Sequence, residues 1–356
     1  MRPRVERPGR AVPGLDVALL SGFTFSCRPA CGLCCFTSPR LEGDDEARLR
    51  ATAPPVRVSV VGGERCVAAR PDGGACQLLS GFRCTAHGAR PAPCREFPVS
   101  VHVGTRLQAT VVLSCPGVAV DPLVSRSGSE AVPPSSTFEE ELASLRRRLT
   151  TAAERRRREA ERRRGRLVRA LSEDDRWVDE EEVRRTLASR RLVPSEKEYL
   201  PEEPPASEEG LERLPMYFDG RGGPVALSQG LGGWEAIELS AEGGSQPVGI
   251  AVAPSIPPSL EADAEALLSG YLRYWLARDG FLGAVVLETA NRAEGSVLDV
   301  ALADLHAIGS DVLARGAFRA KLRGEAGVRL SRRDVELGIR ATDQDWLDRP
   351  TWGSRL

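Results

Sequence analysis

Lysine is almost absent: only Lys197 and Lys321 occur, so 47 of the 49 basic side chains are arginine. Glycine, alanine and proline are abundant too, and these biases fit a GC-rich coding sequence before they fit a function. Neither sign of charge is in excess. A formal net charge of -1 gives no global pull toward nucleic acid or an anionic membrane, so any such attraction has to be local. Long apolar runs are also missing. No stretch of about 18 apolar residues occurs, which argues against a membrane-spanning helix. Val12 to Leu20, interrupted by Pro13, Gly14 and Asp16, is too short for an export segment. There are only three histidines, and the region from about Leu211 onward holds no cysteine, no glycine-rich phosphate loop and no nucleophile-and-base pair. With 41% apolar and 28% charged residues the chain is still an ordinary folded protein, and 356 residues suffice for two or more domains.

What the chain does have is thiols. All nine cysteines lie between Cys27 and Cys115, and eight of them fall in spaced groups: Cys27-x3-Cys31-x2-Cys34-Cys35, then Cys76-x7-Cys84-x9-Cys94, then Cys115-Pro116-Gly117. The ninth, Cys66, stands alone between the halves. Thiolates at short spacing converge without distant packing, and a soft cation stabilises such a set where bare thiols would oxidise. In the reducing cytoplasm, the expected compartment, clustered cysteines are ligands more often than disulfides. Adjacent Cys34 and Cys35 point to opposite sides of an extended backbone, so either they serve different metals or one of them is not a ligand.

The expected fold class is α+β. Residues 1–22 read as a loose arm and 23–118 as a loop-rich cysteine-cluster domain that a metal has to staple, because its apolar surface is small. Within it, a short helix is expected from the acidic patch Glu42 to Glu46 through Leu49, and a strand over Val56 to Val61. A hairpin is expected from Phe97 to Val103 and Leu107 to Leu113, about Gly104-Thr105. A linker, 119–136, leads to a charged helical hairpin or arm, 137–193. Its first helix is capped by Thr137 with Glu140 and its second by Ser172 with Asp175. A second linker, 194–210, precedes a C-terminal α+β domain, 211–356. There, four short apolar stretches predict an antiparallel sheet, and Ser259 caps the first of several helices.

The run Cys84-x2-His87-x2-Arg90-Pro91-x2-Cys94-Arg95-x-Phe97-Pro98, downstream of a Cys-x2-Cys-Cys group, resembles the YkgJ-type cysteine-cluster family of zinc- or iron-chelating domains over about residues 23–118. The resemblance implies that Cys27, Cys31, Cys34, Cys35, Cys76, Cys84, Cys94 and Cys115 are the metal ligands. Here the first gap is three residues where two is common, His87 stands where an aromatic is frequent, and Cys66 has no counterpart. Eight thiolates can fill two four-ligand sites, holding zinc or iron–sulfur clusters. Iron–sulfur is preferred because all-cysteine ligation suits it and histidine is scarce. His87, Arg90 and Arg95 are candidates for contacts around the thiolates rather than ligation.

The reading is therefore a metal-binding cysteine-cluster protein with a redox, sensor or structural accessory role, whose C-terminal domain meets a protein partner. Two alternatives stand beside it. A similar cluster occurs in flagellin lysine N-methylases, which raises protein methylation or another redox enzyme, although no methyl-donor loop accompanies it here. Arginines clustered over 146–166 raise a nucleic-acid-binding adaptor, although the interleaved glutamates suit a solvated helix. His306 is expected at a core boundary, His102 on a solvent-facing strand position, and Trp234, Tyr271 and Trp275 in the core.

Overall fold

The computed structural model describes residues 14–27, 31–35, 38–52, 55–61, 63–70, 75–125, 138–149, 151–201, 216–217, 225–230, 233–239, 245–251, 256–322, 329–347 and 349–355. Through the cysteine region the elements are β1 (Leu15–Asp16), α1 (Asp45–Thr52), β2 (Val58–Val61), β3 (Glu64–Val67), β4 (Leu79–Ser80), β5 (Arg83–Cys84) and α2 (Ala92–Glu96). The hairpin strands β6 (Val99–Val103) and β7 (Leu107–Val111) follow, then helices α3 (Asp121–Ser125), α4 (Glu139–Arg148), α5 (Thr151–Glu173) and α6 (Glu180–Ala188). The C-terminal part holds β8 (Met216–Tyr217), β9 (Val225–Gly230), β10 (Gly233–Leu239), β11 (Ser245–Ala251), β12 (Ser259–Leu260), α7 (Ala262–Ala277), α8 (Asp279–Asn291), α9 (Val297–Leu322), β13 (Arg329–Leu330), α10 (Arg332–Leu347) and β14 (Ser354–Arg355). The architecture is α+β.

The hairpin β6–β7 is the pivot. Its antiparallel register runs from Val99 opposite Val111 to Val103 opposite Leu107, as alternation in both strands requires. Each outer edge takes a strand from a chain end: β1 joins β7 in parallel and β14 joins β6 antiparallel. Residues 14–22 of the expected arm are thus part of the fold, with Leu20 fully buried, and residues 1–13 of it lie outside the described residues. The polar face of the hairpin is covered as well. Gln108 accepts from the Asp279 backbone N–H at 2.7 Å, and His102, expected at the solvent, is 7% exposed and 3.6 Å from the Asp279 carboxylate. Long-range cover by α8 overrode the alternation, which cannot say what lies above a polar face.

One core crosses the boundaries expected from the sequence. It joins Leu20 and Phe23, the hairpin valines, Cys115, Leu142 and Leu145 of α4, Ala160 and Leu171 of α5, and the apolar faces of α7 to α10. Tyr271 and Trp275 lie in it as expected, and the side chain of Trp234 lies outside the described residues. His306 is buried at its edge, 3.8 Å from Glu198. A second sheet, in the order β11-β10-β9-β8, is antiparallel throughout. Pro247 sits on its edge strand, beside the irregularity at Ala236 and Ile237, where a missing N–H costs nothing.

Helix ends account for the other differences. The long helix expected after 137 breaks at Leu149, and its expected cap Thr137 lies outside the described residues. Ser172 caps nothing, because its hydroxyl donates back to the Val168 carbonyl, and α6 is capped by Asp179, which accepts from the Glu181 N–H at 2.9 Å. Ser259 is in a strand, and the helix begins after Glu261. Among the described residues no helix is long and apolar enough to cross a membrane.

Helix α7 crosses α3 with no room between them. A Cβ at Gly270 would lie 2.6 Å from the Leu123 carbonyl carbon and 3.3 Å from the Val124 nitrogen. Gly270→Ala is therefore expected to destabilise the fold by about 1–3 kcal/mol, since backbone must shift to admit the methyl group. The check is the midpoint of urea unfolding at unchanged slope. An unchanged midpoint would mean that α3 yields freely.

Candidate metal centre

Four chain segments bring the thiols together. The first ends in a single 3-10 turn, Leu33–Cys35, preceded by Gly32 at φ 59°. A Cβ at Gly32 would stand 2.9 Å from the Leu79 side chain and 3.0 Å from the Phe82 backbone, so both conformation and space demand glycine. The second segment is tied to the first by backbone: the Cys76 N–H donates to the Cys35 carbonyl at 2.6 Å. The hairpin β4–β5 then places Cys84 opposite Leu79. Its two-residue turn, Gly81-Phe82, has positive φ at both positions, so Phe82 holds a left-handed conformation costly for a bulky residue.

Cys94 is delivered by the short helix α2, whose position is set by two buried carboxylates that were not legible as site residues. Asp45, 1% exposed, accepts from the Glu42 N–H at 3.0 Å and the Ala92 N–H at 2.9 Å, and pairs with Arg48. Glu96, 3% exposed, accepts from the Ser144 hydroxyl at 3.0 Å and is clamped by Arg148, which also reaches Glu42 at 2.7 Å. Cys115 follows β7, and its carbonyl accepts from Arg340 of α10 at 2.6 Å. Local apolar packing is slight, with one cluster of Leu49, Val67, Cys76, Leu78, Ala86 and Ala89.

The eight expected thiols form one electrostatic neighbourhood. Cys35 is hydrogen-bonded to both Cys34 and Cys84, which raises its own pKa and makes it the proton donor of the three. Cys84 is correspondingly lowered to about 6, first by the Cys35 hydrogen bond and further by the Arg90 charge. Cys34 is lowered for the same reasons. Burial raises Cys27, Cys76 and Cys94, and pushes Cys115 up to about 12. Cys94 feels Cys34, Cys76 and Cys84, while Cys115 feels Cys31 and Cys34, so Cys34 is common to both groups. Cys66 is buried in β3, with its sulfur 3.8 Å from the Glu64 carbonyl.

The candidate surrounding residues separate. Arg90 faces Cys27, Cys34, Cys84 and Cys94, where its charge favours thiolates. Arg95 turns instead to Asp45, 3.7 Å away, and to the Arg90 carbonyl. His87 is exposed, accepts from Arg90 through its carbonyl at 3.1 Å, and has its pKa lowered by the Arg90 charge first and by burial second.

Among the described residues no group of three or more His, Cys, Asp or Glu side chains is placed to hold a metal ion. Cys35 instead hydrogen-bonds to Cys34 and Cys84. A metal fits the chemistry of this donor set, because coordination supplies the positive charge that protons and Arg90 supply here.

No curated protein and no solved structure matches the chain. Residues 26–116, roughly a quarter of the chain, match the family model CxxCxxCC, described as "Putative zinc- or iron-chelating domain". The stretch from Cys27 to Cys115 is therefore similar to the cysteine-cluster family whose pattern its spacing resembles.

Proposed function

We propose that Cys27, Cys31, Cys34, Cys35, Cys76, Cys84, Cys94 and Cys115 together hold metal as thiolates, and that the metal is iron in an iron–sulfur centre with a redox or sensing role. What supports this reading is the electrostatic coupling that links the eight thiols, much of it through Cys34, with Arg90 favouring thiolates at Cys27, Cys34, Cys84 and Cys94. When bound, such a centre supplies one-electron chemistry. The chain's own residues hold it, offset its negative charge through Arg90, and leave Cys27 and Cys34 exposed toward an electron partner or oxidant. The test is the visible absorption of anaerobically purified protein before and after dithionite. Broad absorption that bleaches supports the reading, and a colourless protein holding zinc overturns the iron assignment.

Zinc is the second reading, favoured by the slight apolar packing around the thiols, which suits a structural staple. A nucleic-acid adaptor is less favoured. Arg157 and Arg158 pair with Glu154, Arg164 pairs with Glu180, and Arg148 clamps the buried Glu96. Those arginines serve packing and ion pairs instead of a free basic face.

A further inference from the structure

A cavity of about 460 Å³ opens beside β6 and the start of α8, and no cysteine lines it. Its size falls within the roughly 300–1,000 Å³ of small-molecule sites. We propose that it binds a small organic anion: a carboxylate carried on a flat apolar body.

The strongest observation is Arg278, which lines the cavity and is 2% exposed. Its Nη2 donates to Asp343 at 3.0 Å and to the Val111 carbonyl at 3.2 Å, while its Nε and Nη1 are buried without a hydrogen-bond partner. An unmet buried donor costs about 1–3 kcal/mol, and on a cation more, which the Tyr274 and Trp275 rings, 4.5 and 4.1 Å from the guanidinium carbon, offset in part. His102, also on the wall, has both ring nitrogens buried without a hydrogen bond, Nδ1 lying 3.6 Å from Asp279, and the hydroxyls of Thr351 and Ser354 are buried without one too.

Charge selects an anion. Arg163, Arg278, Arg349 and Arg355 line the cavity against one carboxylate, Asp304. Asp343 balances Arg278, and Asp304 and Glu288 lie 3.6 and 3.7 Å from Arg349. Arg163 donates to the Thr351 carbonyl and Arg355 to the Ser100 hydroxyl. The first turn of α8 reaches the cavity through Gly280 and Phe281, and helix N-termini favour anions. Asp279 opposes this, but it does not line the cavity, and His102 and Arg106 face it at 3.6 and 3.7 Å. The apolar wall selects the body. Trp275 and Phe281 pack edge to face, 6.2 Å between centroids, with Ala284 beside them.

The experiment is calorimetric titration of the full chain with benzoate, 4-hydroxybenzoate, indole-3-acetate and inorganic phosphate. At least one aromatic carboxylate should bind with Kd below about 1 mM. Arg355→Gln and the cavity-filling Ala284→Trp should each weaken it at least about tenfold, with circular dichroism and metal content unchanged. If Ala284→Trp does not fold, Arg355→Gln decides alone. Three results overturn the proposal: no carboxylate binding up to about 10 mM, binding of phosphate only, or carboxylate affinity unmoved by Arg355→Gln. Metal content is read on the same samples, so failure here is separable from failure of the thiolate centre.

Discussion

Cys94→Ser is expected to strip metal from the chain and unfold the segments around it. Cys94 sits on α2 within reach of Cys34, Cys76 and Cys84, and only six buried side chains pack the neighbouring cluster, so ligation supplies much of the local folding energy. Structural thiolate sites contribute about 10–16 kcal/mol of binding energy that is also folding energy. Metal per chain should fall to near background, and limited proteolysis should open residues 26–96 while the β6–β7 hairpin and the helices that follow it persist. Cys66→Ala is the control. Its thiol is buried in β3 and is not among the expected ligands, so this variant should lose about 1 kcal/mol of packing at most and keep its metal. Wild-type metal content in Cys94→Ser would remove that residue from the ligand set.

The second large effect is expected at Asp343. This carboxylate, 0% exposed, accepts from the Leu113 N–H at 2.7 Å, from Arg278 at 3.0 Å and from the Tyr271 hydroxyl at 3.2 Å. Asp343→Ala leaves Arg278 buried among Tyr274 and Trp275 without its counter-charge and frees the strand exit that leads to Cys115. Losing one partner of a buried pair costs about 3–5 kcal/mol, a large fraction of a typical domain's stability. The double variant Asp343→Leu with Arg278→Met should recover much of the loss, since the isolated charge is what costs most. If the single variant unfolds at the wild-type denaturant midpoint, the pair carries no such weight.

The cysteine centre was legible because ligand chemistry is written in local spacing. Eight thiols in short intervals announce themselves whatever the rest of the fold does. The hairpin was legible for a similar reason, since period-2 alternation fixed β6 and β7 to within two residues. What supports them was not. Asp45 and Glu96 read as ordinary surface acids, and only the distant Ala92, Ser144 and Arg148 make them buried anchors. His102 read as solvent-facing until α8 covered it. Arg278 and Asp343 are 65 residues apart, and no local pattern tells a helix-end arginine that stacks on Trp275 from one in water. Ser172 and Ser259 show the reverse error. Each has the right type and spacing for a cap, but the Ser172 hydroxyl bonds back into its own helix and Ser259 pairs in a strand.

Metal and acid-labile sulfide per chain, measured together on full-length protein purified without oxygen or chelator, test the central claim most directly. The account predicts metal in stoichiometric amount, and iron with equivalent sulfide. Zinc without sulfide would keep the thiolate centre and transfer its role from electron transfer or sensing to structure. A folded chain that carries no metal, and takes up neither iron nor zinc with its thiols reduced, would contradict the account.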